Sequence, residues 1–160
     1  MSARQKKDDA AEENAIARNR KARFEYEILE KFEAGLHLVG SEVKSLRNRD
    51  ASINEAYARP RGGELWLLNM NIKPYAQANV QNHEPLRPRK LLLHRREIKH
   101  FAHRAYEKGL TLVPLEMHFR RGLAKVVLGI CRGKQRHDKR EAMKTAQAKR
   151  DIQRQMSRRK

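Results

Sequence analysis

The chain has one cysteine, one tryptophan and five prolines in 160 residues, and only 6% of it is aromatic. Each scarcity removes a class of protein. A lone Cys131 cannot close an internal disulfide, which fits a reducing, cytoplasmic setting. No apolar run approaches the ~18–20 residues that cross a bilayer. The opening stretch, MSARQKKDDAAEENAIARNRK, lacks the apolar segment of a secretory signal. No G-x-S-x-G, Walker A or H-E-x-x-H pattern occurs, so the reading is non-enzymatic, with no cofactor and no small-molecule substrate. A chain of this length accommodates one domain with a modest core and extensions.

Negative charge is also scarce. There are 19 acidic residues against 37 Lys and Arg, a net charge of +18. A charge this large repels itself in a compact state and calls for a polyanionic partner, nucleic acid ahead of a membrane surface. The excess is uneven: residues 132–160 carry twelve Lys or Arg and three Asp or Glu, half of the net charge.

The apolar pattern predicts an organisation. Residues 1–18 read as a flexible or frayed extension. From Phe24 to Leu46 the pattern predicts two strands, the second curved near Gly35 or Gly40. Ser52 and Glu55 have capping-box spacing and predict a short helix. ELWLLNMNIKPY predicts one strand ended by Pro74, and AQANVQNHEPLRPR a loop. HRREIKHFAHRAYEKG is the clearest helix, with Ile98, Phe101, Ala102, Ala105 and Tyr106 on one stripe. LTLVPLEMHF predicts a strand with Val113, Leu115, Met117 and Phe119 on one face; Pro114 suggests that it is an edge strand. LAKVVLGICRG returns as its hairpin partner. The fold expected is mainly β: a partly open barrel of about six strands with flanking helices. The tail after it has helix formers but too few apolar residues to be held on a core, and reads as disordered or helical.

Candidate chemistry follows. His94, His100 and His103 recur along the helix, but no set of ligands converges, and they read as a basic rim without a metal. Trp66 reads as core, with a base-stacking platform as the other option. Leu91, Leu92 and Leu93 cannot all face one core, so at least one points elsewhere. Arg87, Arg89, Lys90, Arg95 and Arg96 flank them and make an apolar spot in a basic patch, a pattern suited to RNA or to a solvated face around a core strand. Glu42, Lys44, Arg47 and Arg49 place an acid among cations, where it can hold them or accept from a base or a ribose hydroxyl. The twelve tail cations suit folding against RNA.

Several of these strings occur together in one known family. NRKARFEYEILEKFEAGLHLVGSEVKSLR, NIKPY, RKLLLHRREI, GLTLVPL and AKVVLGICRGKQRHDKR, running from Asn19 to Arg140, resemble the SsrA-binding proteins, also called small protein B. The resemblance implies an oligonucleotide-binding (OB-fold) barrel over residues 19–132 and a functional tail over 133–160. It implies a protein that binds transfer-messenger RNA and enters stalled ribosomes for trans-translation. The tail would reach the decoding centre and the empty message channel. Elongation factor Tu and alanyl-tRNA synthetase would be indirect partners through the RNA.

The family's roles transfer to matching positions. Asn19, Glu33 and Leu92 match positions associated with transfer-messenger RNA. Glu42, Lys44 and Lys90 lie in the same signature blocks. Lys21, Arg23, Arg47, His94, Lys125 and Arg132 complete the expected RNA-binding set. Gly133, Lys134, His137, Asp138, Lys139 and Arg140 match the decoding-centre segment, where the imidazole of His137 could stack on an exposed base. A general ribosomal-RNA-binding or assembly protein with the same barrel is the alternative, and an RNA-processing enzyme is a third reading with no catalytic set behind it.

Overall fold

A computed structural model describes residues 15–78 and 82–135, together with Met143, Thr145, Gln147, Ala148, Arg150, Arg154 and Met156. Nine strands and three helices are found among these residues: β1 (Ala15–Arg18), α1 (Ala22–Glu25), β2 (Tyr26–Leu36), α2 (Gly40–Arg47), β3 (Ala51–Ser52), β4 (Tyr57–Arg61), β5 (Glu64–Leu68), β6 (Asn71–Ile72), β7 (Arg89–Leu92), α3 (Arg95–Tyr106), β8 (Leu110–Arg120) and β9 (Leu123–Gly133).

Six strands close a ring in the order β8-β4-β5-β7-β2-β9, sealed by the β8–β9 pairing. Closure leaves the long, alternating strands without open edges. Two tight hairpins set the register. Gly62 and Gly63 both have positive φ between β4 and β5, and Arg121 and Gly122 do the same between β8 and β9. That is the two-residue geometry whose twist matches paired strands. The core inside the ring is formed by apolar residues such as Ala34, Leu65, Leu67, Leu91, Leu112, Met117, Val126 and Leu128. Helix α3 lays its stripe over it: Phe101 is buried and stacks on Phe32 of β2, ring centroids 3.5 Å apart.

The observed elements depart from the sequence reading at five places. Residues 15–18 are not part of a loose extension, because they pair with β8 as β1. GSEVKSLR is a helix, not a second strand. The Glu42 carboxylate accepts the Val39 N–H at 2.9 Å and starts α2, which buries Leu46. Residues 53–56 form a turn and not a helix. Ser52 is in β3, and the Ile53 carbonyl accepts from Ala56 N–H and from the Asn19 side chain. The run from Glu64 to Tyr75 is two strands, because Asn69 adopts φ +56° and turns the chain out of the barrel into β6.

The fifth departure is in β8, which is not an edge strand: β1, β4 and β9 all pair with it. Pro114 is tolerated because the register shifts between Pro114 and Glu116. This bulge also changes which residues face inward. Leu112 and Met117 both enter the main core although they are five residues apart. Val113 and Leu115 instead join Ala22, Tyr26, Ile28 and Cys131 in a second, smaller cluster. Burial there pushes the Cys131 thiol up to about 11, so it is an inert packing group.

In the tail, the described residues, from Met143 to Met156, are helical and exposed.

Candidate nucleic-acid interface

Residues directly opposite one another on paired strands face the same side of a sheet. This rule assembles the outer face of the barrel from the register alone. Arg59 of β4 stands opposite Trp66 of β5, which stands opposite Lys90 of β7. Two residues on, Leu92 stands opposite Gly35 of β2, then Lys125 of β9, then His118 of β8. The opposite parity carries the core. Leu67 and Arg89 pair in this way, and Ala34, Val126 and Met117 do the same.

On this outer face Leu92 is 48% exposed, while Leu91 is buried and Leu93 packs partly on the core. Leu91 and Leu93 therefore turn to the core and Leu92 away from it, as the sequence reading required of at least one of the three. Glu33 holds two side chains beside Leu92: His118 Nε2 lies 3.2 Å and Arg120 Nη1 3.3 Å from its carboxylate. Lys90 is paired with Glu64. Four of the expected RNA-binding residues, Glu33, Lys90, Leu92 and Lys125, thus share one surface. His94 follows it, exposed at the start of α3, with its backbone N–H donating to Glu97 at 2.9 Å.

Glu42 and Arg89 do not contribute to this surface directly. Both are fully buried. Glu42 Oε1 accepts from Arg87 Nε at 2.8 Å and from Arg89 Nε at 2.9 Å, and Oε2 accepts from Arg87 Nη2 and the Val39 N–H. Arg89 also donates to the carbonyls of Met70 and Pro85. Burial alone would raise the Glu42 carboxyl, but the bonds from Arg87 and Val39 and the charge of Arg89 hold it below its ordinary value. An acid so enclosed cannot accept from a nucleotide. Of the roles open to it, it performs the holding one: it ties α2 to the strand that carries Lys90 and Leu92. Arg89 belongs to the same clamp and not to the basic patch. Lys44 and Arg47 stand exposed on α2, Lys44 with its Nζ 5.4 Å from the Tyr75 ring centre.

A second group gathers where the barrel ends. Asn19 is buried; its side-chain oxygen accepts from Ala22 N–H at 3.0 Å, and its amide donates to the Ile53 carbonyl at 3.3 Å. Asn19 therefore acts as a clamp beneath α1. Lys21 and Arg23 are exposed there, Lys21 3.6 Å from Glu55. Arg132 and Gly133 close β9 beside it. Lys134 is latched on α1: its backbone N–H donates to the Glu25 carbonyl and its Nζ to the Arg23 carbonyl, both at 3.0 Å. His137, Asp138, Lys139 and Arg140 lie outside the described residues.

Lys125 and Arg132 are both on β9, seven residues and therefore about 23 Å apart. The expected site residues thus form two exposed groups at different heights on one barrel, with Asn19 and Glu42 as buried supports. Sequence reading missed His118 and Arg120. Their only signal was the alternation in LEMHFRR, which the bulge obscured. Among the described residues no three His, Cys, Asp or Glu come together as metal ligands, and no helix is long and apolar enough to cross a membrane.

A closed six-stranded barrel with a cationic outer face, flanking helices and a basic tail is an oligonucleotide-binding type of protein. Comparison with known proteins narrows the class. The SmpB protein family matches residues 16–158, and the chain belongs to that family. The SsrA-binding protein of Carboxydothermus hydrogenoformans is 52% identical over 141 residues, covering 88% of this chain and 95% of the relative. That of Ligilactobacillus salivarius is 48% identical over 142 residues, covering 89% and 92%. A solved chain from "tmRNA-SmpB: a journey to the center of the bacterial ribosome" is 48% identical, with a TM-score of 0.64 over 79% of this chain and 92% of that one.

Proposed function

We propose that this chain is a non-enzymatic adaptor that binds transfer-messenger RNA and takes it to stalled ribosomes for trans-translation, acting in the cytoplasm. The observation that carries this is the clustering of Glu33, Lys90, Leu92 and Lys125 on one outer face, in a chain about half identical to SsrA-binding proteins. An apolar contact ringed by cations suits a folded RNA: phosphates fix the register while Leu92 packs on a sugar or base.

The second exposed group gives the barrel its other end. Lys21, Arg23, Arg132, Gly133 and Lys134 surround the point where the tail leaves. Residues 136–160 are assigned to the ribosome, with His137, Asp138, Lys139 and Arg140 at the decoding centre and the remainder along the message channel. Elongation factor Tu and alanyl-tRNA synthetase act through the same RNA. The domain division is a barrel that selects the RNA and a tail that reads the ribosome. A general ribosomal-RNA binder would have no need of this division.

Two measurements test the reading. Purified full-length chain should prefer transfer-messenger RNA over a tRNA of similar size by more than about tenfold, or ~1.4 kcal/mol, at physiological salt. Truncation after Gln135, which keeps the Lys134 latch, should retain that preference and abolish peptide tagging in a reconstituted system. Equal affinity for both RNAs would favour the general binder. Parallel loss of binding and tagging would refute the division of labour.

A further inference from the structure

Trp66 is not a core residue. It belongs to neither apolar cluster and is partly exposed on the outer face, with Leu65 and Leu67 on either side of it fully buried. It lines an open groove of about 630 Å³ with Arg61, Gly62, Glu64, Arg87 and Pro88. Arg59 is directly opposite it on β4, exposed. An indole is a costly group to leave in water when no packing uses it, and this one is set among three guanidinium groups.

We propose that this groove is a nucleotide subsite in which an unpaired base stacks on Trp66. Arg59 and Arg61 hold the phosphates on either side of the base. The reasons are geometric and electrostatic. Trp66 lines a channel that is open to solvent. Arg87 is fixed at its edge by Glu42, at 2.8 Å. The Gly62–Gly63 turn leaves open space on that side, with no atom within 4 Å of a Cβ built at either position. A duplex does not present its base faces, so the occupant is a single-stranded loop, bulge or end. Lys90 stands opposite Trp66 and belongs to the Leu92 surface, so the subsite extends that surface across β5 towards β4. The inference rests on the adaptor reading and names a further contact for the same RNA.

The chain provides its own reporter, because Trp66 is its only tryptophan. Full-length protein is titrated with fluorescently labelled transfer-messenger RNA. Binding is read from the label's anisotropy and, in parallel with unlabelled RNA, indole emission is recorded. A stacked base quenches the indole, so emission should fall saturably with the same midpoint as binding. Trp66→Ala should weaken binding about fivefold or more, the lower bound for losing one base–aromatic stack, and Trp66→Phe by less. Unchanged emission at saturating RNA overturns the subsite. So does a Trp66→Ala chain that keeps its circular dichroism and binds as tightly as the wild type. If that variant unfolds, wild-type emission and Trp66→Phe decide. Failure of the wild-type chain to bind the RNA at all would instead overturn the adaptor reading, and the subsite with it.

Discussion

The Cβ of Leu92 lies 3.2 Å from the point where a Cβ on Gly35 would stand. These two residues face each other across β7 and β2 on the outer side of the barrel. A glycine opposite lets the leucine lie close to the sheet and still present 48% of itself to solvent. Leu92→Asp places an anion in the proposed RNA surface and should weaken RNA binding by about tenfold or more, ~1.4 kcal/mol. Because the side chain is half exposed, the melting temperature should change little. A large loss of stability would mean that Leu92 is packed as core and the surface is misassigned. Gly35→Val tests the same contact from the other side: it displaces Leu92 and should reduce affinity while leaving Glu33, His118 and Arg120 in place.

Glu42 predicts an effect on stability without any RNA. Removing one partner of a buried ion pair leaves the others uncompensated, at roughly 3–5 kcal/mol. Glu42→Gln should therefore lower stability in urea by about that amount, because Arg89 stays buried without a counter-charge. RNA affinity, measured where the variant is still folded, should fall as the Arg87 and Lys90 region loosens. A variant as stable as the wild type would show that the clamp is dispensable.

The same carboxylate sets an acid limit. Its folded pKa is held below the unfolded value near 4.5, so the unfolded chain binds more protons in the interval between the two. Its stabilisation is complete above about pH 4.5. It is lost as pH falls through the lower, folded pKa. Urea midpoints measured from pH 6 downward should decline in that interval for the wild type and decline less for Glu42→Gln. Parallel slopes for the two proteins would assign acid sensitivity to other carboxylates.

How far the sequence was legible follows from which physical signal each element carried. The β8–β9 hairpin, the split among Leu91, Leu92 and Leu93 and the α3 stripe at Ile98, Phe101 and Ala105 depend on short-range periodicity, and they were readable; Tyr106, placed on the same stripe, is instead 73% exposed at the helix end. What failed depended on contacts distant in sequence. Helix α2 looked like a strand because its start is set by Glu42, whose other partners lie at Arg87 and Arg89. The phase change in β8 comes from a bulge that no periodicity announces. Asn19, Glu33 and Leu92 were singled out by resemblance, and the resemblance could not say that Asn19 is buried while Leu92 is exposed. Trp66 reads as core because it sits inside an apolar strand. Alternation alone could have placed it on the opposite face.

Asn19 gives a prediction that separates positioning from contact. Its side chain satisfies Ala22 N–H and the Ile53 carbonyl, joining the base of α1 to the 53–56 turn. Asn19→Ala leaves the buried Ala22 N–H without this partner and the Ile53 carbonyl with only the Ala56 N–H, and should cost about 1–3 kcal/mol of stability. Any accompanying loss of RNA affinity should grow as temperature approaches the melting point, because it would act through α1 and its exposed Lys21 and Arg23. A full loss of affinity at low temperature, with stability unchanged, would instead make Asn19 a direct RNA contact.

Salt separates the contributions on the outer face. With a net charge of +18, binding should weaken steeply as ionic strength rises, since each phosphate contact releases condensed counterions. Lys125 lies between Gly35 and His118 in the register of that face. If it meets a phosphate, Lys125→Ala should reduce the slope of log affinity against log salt by about one. Trp66→Ala removes stacking and no charge, so it should lower affinity at every salt concentration and leave the slope unchanged. The pair of slopes therefore distinguishes a phosphate contact from a base contact on neighbouring strands. A Lys125→Ala slope equal to that of the wild type would place this lysine outside the phosphate path, leaving Arg120, His118 and Lys90 to carry it.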